Sequence, residues 1–183
     1  MIDDDAQLML AFKAGDRRAF ETLFERYTPR LLNFLARMVR DRERAEELTQ
    51  DVFVRVYNAA PRYEVRAKFS TWVFGIAHNL ALNDLDRAYR KRERPLLPGD
   101  QRALRDPNPD PDERIAARQL GEALEVALAK LPERQRSALL LRSEQGLGYQ
   151  QIGQVMGASV SGVKSLLHRA RESLLSELKE IPE

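Results

Sequence analysis

Cysteine is absent from the 183 residues, which removes disulfide frameworks, thiolate zinc sites and thiol nucleophiles together. Long apolar runs are missing too, since none approaches the ~18 residues of a membrane span. Aromatic side chains make up only 7% of the chain, and charge nearly cancels, with 30 Lys+Arg against 28 Asp+Glu for a net +2. So even a balance does not by itself demand a polyanionic partner; a nucleic-acid contact has to come from where the charges sit. The start, Met1-Ile2-Asp3-Asp4-Asp5, is acidic where a secretory leader is basic, so a cytoplasmic address without membrane insertion is the default expectation. What is present, 43% apolar side chains, suffices for a buried core, and the length fits about one or two domains.

Proline marks the organisation. Five of the nine prolines fall between Pro95 and Pro111, and because proline lacks an amide donor and biases its predecessor away from helix, this stretch reads as an extended polar linker. Aromatic residues divide at the same place, with only Tyr149 beyond Tyr89. The first domain therefore has an aromatic core and the second an aliphatic one. Helical periodicity dominates both. Phe20, Leu23, Phe24, Tyr27, Leu31, Phe34, Leu35 and Met38 recur at helical spacing, and the phase carries through Pro29, predicting a kink there and not an end. Ala45 to Val56 make a shorter helix ended by Ala60-Pro61. A long one starts near Ser70, an N-cap residue type, and runs to about Arg92. Residues 115–131, 132–143, 149–156 and 160–178 complete an all-α chain in which no segment alternates long enough for a strand.

The last two helices carry the sharpest chemical signal. A short helix from Tyr149, a turn at Gly157-Ala158-Ser159 and a basic amphipathic helix from Val160 are the parts of a helix-turn-helix. Val163, Leu166, Leu167, Ala170 and Leu174 share one arc, while Ser161, Lys164, Ser165, His168 and Arg169 occupy much of the other side. That outer set suits phosphates and base edges in a major groove. No acid occurs from Gly146 to Arg171. A helical hairpin with an incidentally basic solvated face is the competing reading.

A second stripe lies on the helix from Ser70, where Trp72, Asn79, Asn83 and Arg90 fall on one face. An indole, two amides and a guanidinium in line suit unpaired bases, which stack and expose their edges. Cations at Arg87, Arg90, Lys91, Arg92 and Arg94 suit a phosphate backbone. A buried Trp72 with merely exposed asparagines is the alternative. Glu43, Glu46, Glu47 and Asp51 make an acidic face that fits a basic protein partner or is simply solvated. Catalysis finds little support. Asp3, Asp4 and Asp5 read as a mobile, solubilising terminus, Asp84 and Asp86 diverge on their helix, and His78 and His168 stand apart without ligand sets. A binding protein, not an enzyme, is expected.

In combination, Ala14-Gly15-Asp16 with Ala19-Phe20, Ala45-Glu46-Glu47-Leu48-Thr49-Gln50-Asp51-Val52-Phe53, Phe69-Ser70-Thr71-Trp72 with Ile76-Ala77-His78-Asn79, Leu131-Pro132-Glu133-Arg134-Gln135-Arg136, and Val163-Lys164-Ser165 with His168-Arg169-Ala170-Arg171 resemble bacterial RNA polymerase sigma factors of the extracytoplasmic-function (ECF) group. The resemblance covers about residues 5–92 and 115–178. It implies three parts: residues 1–94 as a region 2-like domain that binds core RNA polymerase and melts the −10 element, 95–112 as a linker, and 113–183 as a region 4-like helix-turn-helix domain that reads the −35 element. By the same resemblance Glu46, Glu47, Gln50 and Asp51 face the polymerase clamp. Tyr63, Arg66, Lys68, Phe69, Trp72, Asn79, Asn83 and Arg90 surround the melted −10 strand, and Arg142, Ser161, Lys164, Ser165, His168 and Arg169 meet the −35 duplex. The implied partners are core polymerase and promoter DNA, with an anti-sigma factor as a regulator seen in many members; no cofactor is implied. A stand-alone helix-turn-helix regulator with a helical sensing domain, and a helical protein-interaction adaptor, are the competing functions.

Overall fold

The computed structural model describes residues 3–92 and 113–179, with side chains over 3–90 and 121–179; the expected linker, 95–112, lies outside the described residues. The described elements are all helical: α1 (Asp4–Lys13), α2 (Arg17–Val39), α3 (Arg42–Ala59), a 3-10 turn (Ala60–Arg62), α4 (Phe69–Arg92), α5 (Glu113–Lys130), α6 (Glu133–Ser143), α7 (Tyr149–Met156) and α8 (Val160–Lys179). Proline 29 sits inside α2 without ending it. Its ring faces solvent while Tyr27 and Leu31 bury on the other side, so the missing amide and the bulk fall where the helix can bend.

Aspartates start the helices of the first half. Asp3, Asp16 and Asp41 are the N-caps of α1, α2 and α3, each accepting a backbone amide at the first turn (Ala6, Arg18 and Arg44), which satisfies an orphan donor and places a negative charge at the positive end of the helix dipole. Two expectations are corrected here. The acidic run at residues 3–5 is not a loose tail, because Asp3 caps α1 and the Asp5 carboxylate accepts from the Tyr27 hydroxyl at 2.6 Å and pairs with Arg26. Ser70 does not cap the long helix, which begins one residue earlier, at Phe69, whose amide is bound by Asp3 at 3.1 Å.

Around α1–α4 the core is aromatic, with Tyr27, Phe34, Phe69 and Phe74 fully buried. Phe34 meets Phe74 edge to face at 5.6 Å and Tyr27 meets Phe69 at 5.1 Å, contacts worth about 0.5–1.5 kcal/mol each beyond their burial. Burial and the Asp5 carboxylate push the Tyr27 phenol well above its ordinary range, so it stays a donor. The second half is aliphatic, built on Leu140, Leu141, Leu147, Ile152, Val163 and Leu167.

The two halves pack as one body, α4 against α7 and α2 against α6, and one buried cluster runs through both. Polar groups stitch the seam. Arg136, only 4% exposed, donates to the Met38 carbonyl at 3.0 Å. Ser137 Oγ lies 2.8 Å from His78 Nδ1, Gln151 Nε2 donates to Thr71 Oγ1 at 3.1 Å, and Arg37 pairs with Glu125 and Glu144. The Arg136–Met38 and Ser137–His78 contacts are buried, whereas the Arg37 pairs are half-exposed and add little stability in contact with solvent.

Candidate nucleic-acid interface

The helix-turn-helix is built from small residues at its bend. Gly157 ends α7 with φ 60°, the left-handed conformation that favours glycine, and the amide of Ala158 donates to the Gly153 carbonyl at 2.9 Å. A Cβ on Gly153 would lie 2.6 Å from the Ala158 carbonyl oxygen, so only glycine lets the turn fold back this closely. Ser159 Oγ accepts from the Gly162 amide at 3.1 Å and opens α8. Val163, Leu167 and Ala170 are buried, Leu166 is half-buried, and Ser161, Lys164, Ser165, His168 and Arg169 are all exposed. Arg142 is exposed on α6, where its guanidinium donates to the Leu147 carbonyl at 3.0 Å and stacks over Tyr149 at 5.2 Å. Lys164 approaches the same ring at 5.9 Å. Tyr149 thus gathers cations from α6 and α8 beside one another, with cation–π attraction offsetting part of their repulsion.

The other sequence-derived stripe starts at a loop, residues 63–69, held between the 3-10 turn and α4. Tyr63, Phe69 and Trp72 form a ring cluster, with Tyr63 to Trp72 at 5.0 Å and Phe69 to Trp72 at 5.7 Å. Trp72 is half-buried, whereas Tyr63 is 5% exposed and Phe69 fully buried. Phe69 therefore supports the loop from beneath and has no face to offer a base in this conformation. Burial and the nearby Asp3 charge push the Tyr63 phenol up to about 12, and its buried hydroxyl has no hydrogen-bond partner among the described residues. Arg66 is exposed and pairs with Glu64 at 2.7 Å, which holds the Glu64 carboxyl below its ordinary range. Lys68, Asn79, Asn83 and Arg90 are exposed. Asn83 lies apart from the ring cluster, in a groove of about 160 Å³ that it shares with Asp51, Arg44 and Asp84. The side chains of Lys91, Arg92 and Arg94 lie outside the described residues.

Glu46, Glu47, Gln50 and Asp51 are exposed together on α3. Two are already engaged locally, Glu46 with Arg42 at 3.2 Å and Glu47 with Arg44, which also reaches Asp84 of α4 at 2.7 Å. No group of three His, Cys, Asp or Glu side chains suited to a metal occurs among the described residues. None of the described helices is long and apolar enough to cross a membrane.

One cation from each set reaches a shared groove, Lys68 beside α4 and Lys164 on α8, whereas Trp72, Asn79, Asn83 and Arg90 do not line it. This groove of about 700 Å³ is lined by Lys68 and Thr71 from the loop and α4, and by Tyr149, Gln151, Gln154 and Lys164 from α7 and α8. Thr71, Tyr149 and Gln151, together with Asp3 and Lys13 at the ends of α1, hold the site residues in position. In the sequence Asp3 stood out only as part of an acidic run, Thr71 only within a motif and Tyr149 only as an isolated aromatic, and nothing marked Lys13 or Gln151.

These features define an all-α protein that carries a helix-turn-helix and, beside it, a ring-lined loop bordered by cations. Comparisons with known proteins give the family. The Sigma-70 region 2 family model matches residues 23–94 and the Sigma-70 region 4 model matches residues 121–174. The chain is 30% identical to the RNA polymerase sigma-H factor of Pseudomonas aeruginosa, over 98% of this chain and 96% of that one. It is 34% identical to the RNA polymerase sigma factor CarQ of Myxococcus xanthus, over 94% and 97%, and 34% identical to the ECF RNA polymerase sigma factor SigM of Mycobacterium tuberculosis, over 93% and 82%. Its fold is shared with CnrH, solved with the cytosolic domain of CnrY, at a TM-score of 0.74 and 24% identity over 98% of this chain and all of that one. It is shared also with the sigma factor RpoE of Bartonella quintana, solved with the anti-sigma factor NepR, at a TM-score of 0.73 and 21% identity over 89% and 98%. The chain belongs to the ECF group of RNA polymerase sigma factors, and is an alternative sigma factor that directs promoter recognition in transcription initiation. The stand-alone regulator and the adaptor are set aside.

Proposed function

We propose that residues 1–94 bind core RNA polymerase and capture the melted −10 strand, and that residues 113–183 read the −35 element as duplex. The observation that carries this reading is the pairing of an exposed cationic face on the first three turns of α8, where no acid occurs before Glu172, 3.5 Å from His168, with a half-buried Trp72 in a ring cluster. Fixed cations suit a closed duplex; a ring with one face accessible suits a base that has left its stack. Lys164, Ser165, His168, Arg169, Ser161 and Arg142 would meet the −35 duplex. Trp72 and Asn79, flanked by Arg66 and Lys68, would meet the flipped base, and Glu46, Glu47, Gln50 and Asp51 the polymerase. The work is done by binding energy in the cytoplasm, without catalysis or a cofactor.

Simultaneous use of both faces requires the halves to separate. Positions −35 and −10 stand about 25 base steps apart, or about 85 Å of duplex at about 3.4 Å per step, whereas Lys68 and Lys164 border the same groove. The closed arrangement is then the unbound form, and polymerase and promoter draw α7 away from α4. An anti-sigma factor is the expected regulator, consistent with the Bartonella quintana sigma factor RpoE, of like fold, being solved with the anti-sigma factor NepR.

The test is reconstitution with core polymerase on forked and fully paired promoter DNA. Trp72→Ala and Asn79→Ala should leave −35 duplex binding intact and impair opening on paired DNA. Normal opening by both variants would remove the −10 assignment.

A further inference from the structure

We propose that α1 is a clasp that presets the −10 loop, with Asp3 and Lys13 as positioning residues for base capture. This rests on the assignment of the 63–69 loop to the −10 strand.

The two ends of one short helix hold the two ends of this loop. At the start of α1, Asp3 divides its carboxylate: Oδ1 accepts from the Ala6 amide at 2.7 Å and Oδ2 from the Phe69 amide at 3.1 Å. The same group caps α1 and fixes the point where the loop becomes α4. At the other end of α1, Lys13 Nζ donates to the Tyr63 carbonyl at 2.8 Å, where the loop leaves the 3-10 turn. Ten helical residues make a strut of about 15 Å, since each adds about 1.5 Å. Between the two fixed ends Glu64, Val65, Arg66 and Lys68 are exposed, so the middle of the loop stays free to meet DNA.

The chemistry explains why acids and a lysine stand here. A carboxylate that takes a backbone amide from each of two segments makes two charge-assisted bonds, stronger than neutral ones. The Phe69 amide is an orphan donor at the first turn of α4, and Asp3 satisfies it from 66 residues away. With both ends fixed, the rings of Tyr63, Phe69 and Trp72 are held at their spacings before any base arrives, so capture does not have to order the loop as well.

The single tryptophan of the chain is Trp72, which gives a direct optical report on the loop in the full-length free protein. Asp3→Ala and Lys13→Met are expected to shift Trp72 emission to the red and to increase its quenching by acrylamide. With core polymerase, each is expected to slow promoter opening about tenfold, the cost of ordering the loop during capture, while polymerase affinity and −35 duplex binding stay within about twofold of the parent. The double variant should be no worse than either single one, because both act on one loop. Lys13→Arg, which keeps the donor, should open promoters as the parent does, and Asp4→Ala, exposed on the same turn, should do the same. Should Asp3→Ala fail to fold, Lys13→Met against Lys13→Arg carries the test alone, since Lys13 is a surface residue. Parental opening and parental Trp72 emission in Lys13→Met would overturn the clasp. Trp72→Ala is assayed in parallel: a defect there with normal clasp variants overturns only this proposal, whereas normal opening by Trp72→Ala overturns the −10 assignment and the clasp with it.

Discussion

The region around the 63–69 loop and the region around α8 differ in where their functional side chains end up. On α8 the inward and outward sets separate cleanly: Val163 and Leu167 are buried, Lys164 and Arg169 exposed. At the loop the same residue types serve both purposes, for Phe69 and Tyr63 are core residues and, in the proposed assignment, part of the −10 site at once. A duplex offers its phosphates and groove edges on the outside, so a reader of duplex can be solvated and still bind. A displaced base needs a dry ring face, and such a face has to be partly made of core. Mutations should therefore couple stability to function at the loop and leave the two uncoupled on α8.

The largest effect is expected at Phe69. Its ring is fully buried and meets Tyr27, Tyr63 and Trp72, so Phe69→Ala should cost about 3–5 kcal/mol of stability and abolish opening with it. Urea unfolding beside an opening assay checks this. A stable Phe69→Ala protein that fails only in opening would break the comparison, because it would make Phe69 a reader and not a support.

Next comes the seam between the halves. His78 is 3% exposed against Ser137, and burial, aided by the Arg134 charge, lowers its pKa from 6.5 to about 4. Opening or unfolding restores the ordinary value, so the exposed form binds the extra proton. The contribution to the closed state is complete above pH 6.5 and is lost as the pH falls toward about 4. The shift corresponds to roughly 3 kcal/mol over that window at about 1.4 kcal/mol per unit. Small-angle scattering and urea midpoints at pH 7 and 4.5 should show the protein expanding or weakening in acid. His78→Gln should flatten that pH dependence, separating it from the carboxylates that titrate nearby.

Legibility in the sequence follows from how local each cause is. The helix-turn-helix was readable because its periodicity, its glycines and its absence of acids all lie within residues 146–171. Helices α2 to α8 were readable from apolar spacing to within a few residues. Helix α1 was not, because Leu8, Met9, Leu10, Ala11 and Phe12 form a run with no polar side, and the helix is held by contacts with residues far along the chain. The start of α4 was misread for the same reason: a cap in which Asp3 accepts from the Phe69 amide leaves no trace near Ser70. The seam was invisible too, since a histidine at 78 and a serine at 137 carry no pairing signal. At the loop, composition gave the rings but not their burial, which depends on packing from α2.

A middle-sized effect falls at the turn itself. Gly153→Ala puts a Cβ 2.6 Å from the Ala158 carbonyl oxygen, a backbone atom, so α7 and α8 have to move apart. The expected cost is about 1–3 kcal/mol, and the displaced α8 should lose −35 affinity. Amide exchange of residues 157–163 tests the local opening, and unchanged exchange there with lost DNA binding would point away from the turn.

The smallest stability effect and the cleanest functional one are expected at Lys164. Its ammonium is exposed and, among the described residues, approaches the Tyr149 ring at 5.9 Å, so Lys164→Ala should change the unfolding free energy by no more than about 0.5 kcal/mol. On DNA the same side chain replaces condensed counterions, and its loss should weaken −35 duplex binding and reduce the salt slope of log affinity by about 1. The two outcomes discriminate how Lys164 works. A phosphate contact weakens all sequences equally, whereas a base contact also relaxes preference at one position. A slope that does not change would take Lys164 out of the DNA face. Lys164 would then belong to a solvated surface, and duplex reading would have to rest on Arg142, His168 and Arg169.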